Sequence, residues 1–93
     1  MSNIYEHIGT RIKMRRIAGK HNSGRLITQS ELAQACNVTF QQIQKYEKAT
    51  NKIPLDKLLQ ISKYLETPLL DFIPVTEVFG QTVIQEKSTE SQQ

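Results

Sequence analysis

Apolar residues recur with the period of an α-helix along most of the chain, and polar turn residues divide this pattern into segments. The first stripe consists of residues spaced two to four positions apart: Ile4, Ile8, Ile12, Met14 and Ile17. This spacing places them on one helical face and predicts a first helix over residues 3–18. Gly19 is a natural helix end, and the following "KHNSGR" has the composition of a solvated loop.

Two short helical segments follow, separated by a tight turn. Thr28 stands three residues before a glutamate, the spacing of a capping box, and predicts a second helix over about 29–36. Asn37 tolerates the left-handed backbone conformation that a tight turn requires. Thr39 is an N-cap residue and predicts a third helix that extends to about Lys48.

The pattern continues into two further helices and then changes. A fourth helix is predicted over residues 55–65, with one side formed by Leu55, Leu58, Leu59, Ser62 and Leu65 and with Ile61 flanking it. "PLLDFI" predicts a short fifth helix that Pro74 closes. Beyond it, an apolar arm at about 75–85 is expected to form a short strand or to dock, and "KSTESQQ" is expected to be disordered. Residues 1–74 are therefore predicted to form one domain, and residues 75–93 an arm and tail.

The second and third helices have the apolar pattern of a helix-turn-helix unit. If they cross steeply, one set of side chains can face inward: Leu32, Ala33, Cys36, Val38, Ile43 and Tyr46. With Ile43 inward, Gln41 and Lys45 project outward and Gln44 lies beside them. A Gln side chain can pair bidentately with adenine in the major groove, and Lys can contact guanine or phosphate. A merely solvated face more often mixes Glu with Lys, but these residues alone leave both readings open.

Composition narrows the class of protein. A chain of 93 residues has room for one domain with a modest core. No run is long and apolar enough to span a membrane, and the first residues lack the apolar core of a signal peptide, so a cytoplasmic location is expected. The lone Cys36 excludes an intramolecular disulfide and is expected to be a small core residue.

The positive charge is concentrated near the N-terminus. Residues 1–27 contain six Lys or Arg and one Glu, whereas residues 28–74 contain five of each sign. Residues 75–93 contain one Lys and three Glu. A basic third suggests a polyanionic partner, although a solvated helix face explains the charge equally well.

Catalysis is not expected. His7 and His21 lie far apart in the predicted local structure, and no acid–base pair or nucleophile arrangement is apparent. The sequence offers no ligand set for a metal and no motif for a cofactor. We therefore expect a binding protein that is not an enzyme, with neither metal nor cofactor.

Three motifs together resemble the lambda-repressor-like helix-turn-helix proteins, also called Cro/repressor or XRE-type regulators. They are "IGTRIKMRR", "TQSELAQACNVTFQQIQKYE" and "TNKIPLDKLLQISKYL", and the resemblance covers about residues 8–73. It implies an all-α fold, a compact five-helix bundle in which the third helix lies in the DNA major groove.

The resemblance also implies roles for particular residues. Gln29 matches a phosphate-clamping glutamine, and Arg16 and Glu47 match a structural ion pair between the first and third helices. The base-reading positions of the third helix are occupied by Phe40, Gln41, Gln44 and Lys45, and the backbone-contacting turn by Lys48, Asn51 and Lys52. Gln42 points sideways, toward a phosphate or solvent. Alternatives remain open: Phe40 could pack against the second helix, Gln29 could only cap its helix, and Lys52 could be a plain surface residue.

The chain departs from the family pattern at three places. "KHNSGR" (residues 20–25) is an insertion that could form a basic finger toward DNA or an inert loop. The family often has Gly at the positions of Asn37 and Ala49; Asn37 tolerates the turn, whereas Ala49 leaves the path after the third helix open. Arg11, Lys13 and Arg15 could line the DNA side, or be solvated.

The resulting expectation is a sequence-specific DNA-binding transcriptional regulator of bacterial or phage type, acting as a repressor at the nucleoid. It should bind a palindromic double-stranded operator as a homodimer joined through the fifth helix and the arm, unless the arm folds back on its own bundle. The alternative is an antitoxin-like or anti-repressor module that captures another protein through the arm and binds DNA secondarily.

Overall fold

Four α-helices and two 3-10 helices succeed one another in the computed structural model, which describes residues 3–74. The α-helices are α1 (Ile4–Ala18), α2 (Gln29–Ala35), α3 (Phe40–Lys48) and α4 (Leu55–Leu65). The 3-10 helices are Lys20–Asn22 and Leu69–Phe72. The described range contains no strand, and none of its helices has the length and apolar character needed to cross a membrane.

Side-chain caps begin the first three α-helices. The Asn3 side chain accepts a hydrogen bond from the Tyr5 amide at 2.8 Å at the start of α1. Thr28 and Thr39 accept amide hydrogen bonds at the starts of α2 and α3, as their positions predicted. The capping box at Thr28 is only half formed, because the Glu31 carboxylate accepts a hydrogen bond from the Tyr64 hydroxyl at 2.6 Å.

Three residues other than glycine adopt the left-handed backbone conformation at or just after the ends of α-helices, and one of them is Glu66 at the end of α4, with φ 54° and ψ 47°. Asn37, in the turn between α2 and α3, has φ 57°, as predicted. Ala49 ends α3 with φ 60° and ψ 25°, so the chain takes here the path that a glycine would take. An L-residue with a Cβ is strained in this conformation.

The core consists mainly of aliphatic residues from all four α-helices. Its fully buried large side chains are Ile12, Leu32, Ile43, Ile61, Leu65 and Phe72. Cys36 is also buried, as predicted, and burial raises the pKa of its thiol while the charge of Lys57 lowers it in part. Of the six residues predicted to face inward in the helix-turn-helix unit, Val38 alone is only partly buried.

The buried apolar stripes of α1 and α4 differ from those predicted. Met14 and Ile17, expected to widen the core face of α1, are both exposed because α1 packs through the side that carries Ile8, Gly9, Ile12 and Arg16. On α4, Leu55 and Leu59 are exposed, whereas Ile61, expected to flank the stripe, is fully buried. An α-helix turns by about 100° per residue, so a small rotation of the helix exchanges core and flank positions.

The predicted fifth helix is a 3-10 helix, Leu69–Phe72, with Pro68 as its N-cap. The number of α-helices in the described range is therefore four, not five. Phe72 is fully buried and anchors this turn to the core. The arm and tail predicted at 75–93 lie outside the described residues.

α1 and α3 approach each other closely at Gly9. A Cβ at this position would lie 2.5 Å from the carbonyl oxygens of Tyr46 and Glu47. The absence of a side chain thus allows the end of α3 to rest directly on α1, and this contact fixes the orientation of α3 relative to the bundle.

Candidate nucleic-acid interface

The outer face of α3 is polar, and its inner face is apolar. Ile43 and Tyr46 are buried, whereas Gln41 and Lys45 on the opposite side are exposed. The other polar residues of α3 outside the core are half-buried Gln42 and Gln44 and exposed Lys48. Amide groups that both donate and accept, beside ammonium groups, match the hydrogen-bonding edges of bases and the charge of phosphates.

Phe40 is the first residue of α3 and remains 40% exposed. Most of its side chain is covered and part of it is accessible. Both the packing of Phe40 against α2 and its contact with a base therefore stay predictions.

A buried ion pair joins α1 to α3. Arg16 Nε lies 2.7 Å from Glu47 Oε2, and Arg16 Nη2 lies 3.0 Å from Glu47 Oε1. The two side chains are only 8% and 4% exposed. The remaining terminal nitrogen of Arg16 donates to the carbonyl oxygen of Ile27 at 3.0 Å, so one guanidinium connects α1, α3 and the segment before α2.

Gln29 is the third member of this network. Its Nε2 donates to Glu47 Oε1 at 3.0 Å, while Thr28, not Gln29, provides the side-chain cap of α2. The alternative that Gln29 only caps its own helix is therefore not what the structure shows. Glu47 fixes the amide of Gln29 at the edge of the groove described next, with its second N–H hydrogen available to another acceptor.

A groove of about 330 Å³ separates the first helix from the outer side of α3. Its lining combines two lysines with hydroxyl and amide groups: Thr10, Lys13, Met14, Gln29, Gln44, Glu47 and Lys48. Glu47 is the one acid among them, and its carboxylate is already paired with Arg16. The groove thus presents unpaired positive charge and hydrogen-bond donors, which suits a phosphate group.

The segment after α3 is held close to both α3 and α1. The backbone amides of Thr50 and Asn51 donate to the Lys45 carbonyl oxygen at 3.0 and 3.4 Å. Asn51 and Lys52 are exposed, and Lys52 Nζ lies 5.5 Å from the centre of the Tyr5 ring. Tyr5 thus restrains Lys52 by a cation–π contact, a role that sequence reasoning missed because no local pattern links positions so far apart.

The basic residues of α1 fall on different sides of the helix. Lys13 is exposed and lines the groove beside α3. Arg15 lies away from that groove, and its Nη2 is 3.6 Å from Asp71 Oδ2 in the second 3-10 helix. Thr10, which the sequence did not single out, lies one helical turn before Lys13 and lines the same groove.

The insertion at residues 20–25 folds against the end of α4 and does not extend as a finger. Lys20 Nζ lies 4.2 Å from the centre of the Tyr64 ring, and His21 Nε2 lies 2.9 Å from Glu66 Oε1. The Tyr64 hydroxyl also donates a hydrogen bond to the Glu31 carboxylate, and this bond raises the pKa of Tyr64. These contacts direct the side chains of Lys20 and His21 toward α4.

The candidate interface consists of hydrogen-bonding groups, positive charge and one aromatic ring. Within residues 3–74, no group of three His, Cys, Asp or Glu side chains is placed to hold a metal ion. The polar side chains of α3, the groove and the 50–52 segment form instead a surface of donors, acceptors and positive charge. We call this surface, together with the exposed ring of Phe40, the α3 face: Gln29, Phe40, Gln41, Gln42, Gln44, Lys45, Lys48, Asn51 and Lys52.

Comparison with known proteins gives one family. A family model described as "Helix-turn-helix" matches residues 25–72, which is about half of the chain. The chain is similar to the "Uncharacterized HTH-type transcriptional regulator" of Sinorhizobium medicae, with 40% identity over 67 residues, or 71% of this chain and 43% of that protein. It is equally similar to the "Uncharacterized transcriptional regulator in ATPase CF(0) region" of Rhodospirillum rubrum, with 40% identity over 67 residues, or 72% of this chain and 56% of that protein.

A third relative is the "Uncharacterized HTH-type transcriptional regulator y4wC" of Sinorhizobium fredii, which is 43% identical over 60 residues. Those residues are 64% of this chain and 38% of that protein. The chain thus spans about half or less of the length of the curated relatives that it matches. No solved structure matches it significantly.

Proposed function

The chain belongs to the lambda-repressor-like helix-turn-helix family, the Cro/repressor or XRE-type proteins, and on this basis we propose that it is a sequence-specific DNA-binding transcriptional regulator. The observation that best supports this proposal is the outer face of α3. Three of its residues are Gln41, Gln44 and Lys45, and the face opposite the buried Ile43 has no acidic residue. A surface of this composition suits the base edges of a major groove.

In this proposal, α3 lies in the major groove and reads bases through its first two turns. Gln41, Gln44 and Lys45 bind base edges by hydrogen bonds, and Phe40 makes an apolar contact. The end of α3 rests on α1 at Gly9, so the reading side chains project from a helix whose position is fixed before DNA binds. A preorganised surface loses less entropy on binding.

Phosphate contacts flank the bases. We assign Gln29, Gln42, Lys48, Asn51 and Lys52 to the sugar–phosphate backbone. Two of these side chains are already restrained in the free protein, Gln29 by Glu47 and Lys52 by Tyr5. The ion pair of Arg16 and Glu47 acts behind them as a structural lock.

A single helix-turn-helix unit needs a second copy to hold an operator firmly. One helix-turn-helix unit reads only a few base pairs, so two copies about 34 Å apart along a palindrome are expected. We propose a homodimer joined through residues 69–85, with residues 1–74 as the DNA-binding domain. Within the described range, exposed Leu70 supplies apolar surface to such a contact. The regulator would repress by occupying its operator at the nucleoid, in the cytoplasm.

Sedimentation tests the dimer. The full chain should sediment as a dimer at tens of micromolar, and a chain that ends at Pro74 should be largely monomeric. Leu70→Glu in the full chain provides a second variant, because it places a charge in the proposed contact without removing any residue. A truncated chain that dimerises as well as the full chain would exclude the residues after Pro74 from the interface.

The reading role of α3 is tested on DNA selected from a random duplex library by the full chain. Gln41→Ala should weaken binding to the selected duplex by about 1–3 kcal/mol and leave binding to random DNA nearly unchanged. Lys52→Ala should weaken binding to the selected duplex and to random DNA alike. It should also reduce the slope of log K against log salt concentration by about one unit. Gln34→Ala and Lys63→Ala are matched controls, because both residues are exposed and lie on α2 and α4, outside the α3 face.

Either of two results would contradict the proposal. The first is a selection that enriches no sequence. The second is an equal loss on selected and random DNA for Gln41→Ala, which would show that Gln41 does not read a base.

A further inference from the structure

One side of α4 carries two leucines and two opposite charges that are all accessible. Leu55 is 63% exposed, and Leu59, one helical turn later, is 42% exposed. Asp56 in the first turn and Lys63 in the last turn are exposed as well. At about 100° per residue, these four side chains leave the helix within about 100° of one another. We call this surface the α4 patch: Leu55, Asp56, Leu59 and Lys63.

The polar contacts of α4 with α2 lie on the flank away from the α4 patch. There, Lys57 Nζ donates to the carbonyl oxygen of Cys36 at 3.0 Å, and the Tyr64 hydroxyl donates to Glu31. Lys57 and Tyr64 project about 140° from the centre of the α4 patch. None of the residues of the patch belongs to the α3 face. The apolar area that the patch exposes is therefore available for contact with a further molecule.

The two charges of the α4 patch make it complementary to itself. Asp56 and Lys63 are seven residues apart, which is nearly two turns, so they lie on the same side of the helix and about 10 Å apart along its axis. Within residues 3–74, neither of them forms an ion pair. In an antiparallel pair of such helices, each Asp56 lies level with Lys63 of the other helix. A contact of this kind is isologous, as a twofold axis requires.

The leucines fit the same arrangement. The twofold axis that pairs Asp56 with Lys63 passes between residues 59 and 60, so the two Leu59 side chains meet next to it. The two copies of Leu55 lie along one edge of the helix pair, and both ion pairs lie along the other edge. Two α-helices in contact are about 8–10 Å apart, a separation that removes these leucines from water. An apolar centre with a charged rim is the usual composition of such a contact.

The size of a stable dimer contact also favours a surface beyond residues 69–72. Stable interfaces bury about 1,200–2,000 Å² in total, or about 600–1,000 Å² on each copy. Leu70 alone, although 57% exposed, cannot provide that area. The 3-10 helix Leu69–Phe72 packs against α4, so a contact that includes this 3-10 helix has α4 as a direct neighbour.

We propose that the α4 patch is a self-association surface on which α4 of a second copy packs in the antiparallel direction. Two reciprocal pairs of Asp56 and Lys63 fix the register, and Leu55 and Leu59 supply the apolar contact. The inference rests on the homodimer proposed above and deepens it, because it extends that contact onto α4 and assigns residues to it.

Charge reversal provides the test. Asp56→Lys and Lys63→Glu are prepared separately in the full chain, and the dissociation constant of each dimer is measured by sedimentation over a range of concentrations. An equimolar mixture of the two variants is measured in the same way. Leu59→Ala tests the apolar contact, with Gln34→Ala on exposed α2 surface as its control. Circular dichroism establishes that every variant is folded.

Each single charge variant should dimerise about tenfold more weakly than the wild type, because both ion pairs become pairs of like charge. The mixture should regain most of the affinity. In a mixed dimer, the new lysine of one variant meets the new glutamate of the other, and the remaining Lys63 meets the remaining Asp56. A salt concentration of about 1 M should reduce these differences. Leu59→Ala should also weaken the dimer, whereas Gln34→Ala should not.

Two outcomes would overturn the inference while leaving the proposed dimer in place. The single charge variants could dimerise as tightly as the wild type, as they would if the leucines were covered by the chain's own residues 75–85. Alternatively, the mixture could dimerise no more tightly than the single variants, which would exclude the antiparallel pairing. A wild type that stays monomeric would instead refute the proposed dimer and this inference together, and selection from the DNA library would still test the regulator separately.

Discussion

Replacement of Arg16 by Ala should destabilise the fold more than any surface substitution on the same helix. The guanidinium donates to both oxygens of Glu47 and to the carbonyl oxygen of Ile27. After its removal, the Glu47 carboxylate, which is 4% exposed, is left as a buried charge whose remaining side-chain partner is the amide of Gln29. Loss of one member of a buried pair costs about 3–5 kcal/mol.

This loss is large relative to the total, since small domains are stable by only about 5–15 kcal/mol. Urea unfolding followed by circular dichroism at 222 nm should therefore show a much lower midpoint for Arg16→Ala at an unchanged slope. Arg16→Lys keeps the charge but not the paired geometry, and its unfolding midpoint should lie between those of Arg16→Ala and the wild type. Lys13→Ala, at an exposed position one turn earlier, should lie within about 0.5 kcal/mol of the wild type.

A double-mutant cycle separates the pair from its surroundings. Once Arg16 is absent, Glu47→Ala should cost little further, so the interaction energy of the two changes should exceed about 2 kcal/mol. The reasoning would be refuted if Arg16→Ala unfolded within about 1 kcal/mol of the wild type while DNA binding was lost. Arg16 would then be a phosphate contact and not a structural lock.

Two further substitutions test the backbone on either side of this network. Gly9→Ala should destabilise the protein by about 1–2 kcal/mol in urea unfolding although Ala is the better helix former, because its Cβ would meet the carbonyl oxygens of Tyr46 and Glu47 at 2.5 Å. Thr10→Ala, at an exposed neighbouring position, is the control. A Gly9→Ala variant more stable than the wild type would disprove the close contact. Ala49→Gly should stabilise by about 0.5–1 kcal/mol, because its φ of 60° is strained for Ala and free for Gly; a lower unfolding midpoint would count against that strain.

The local elements of this protein follow from its sequence. Caps at Thr28 and Thr39, a turn at Asn37 and the period of apolar residues predict α1 to α4 to within a residue or two. The outward direction of Gln41 and Lys45 follows in the same way. These features depend on hydrogen bonds and side-chain directions within one or two helical turns, and such information is contained in neighbouring residues.

The helical period did not determine which flank of a stripe becomes core. Met14 and Ile17 have the spacing of buried residues but are exposed, while Ile61, which the spacing places on a flank, is fully buried. The packing of each helix against its neighbours selects the buried side, and at α1 the close approach at Gly9 contributes to that choice. A single helical period is compatible with several rotations of the helix, so only the packed bundle distinguishes them.

The tertiary structure also decided how the candidate interface is supported. The residues that hold Gln29 and Lys52 in place are Glu47 and Tyr5, each far away along the chain. The insertion at 20–25 likewise contacts the end of α4 through Lys20 and His21, although its composition is also compatible with a finger toward DNA. Contacts of this kind arise only when whole helices cross at a particular distance and angle, and no local pattern of residues specifies that geometry.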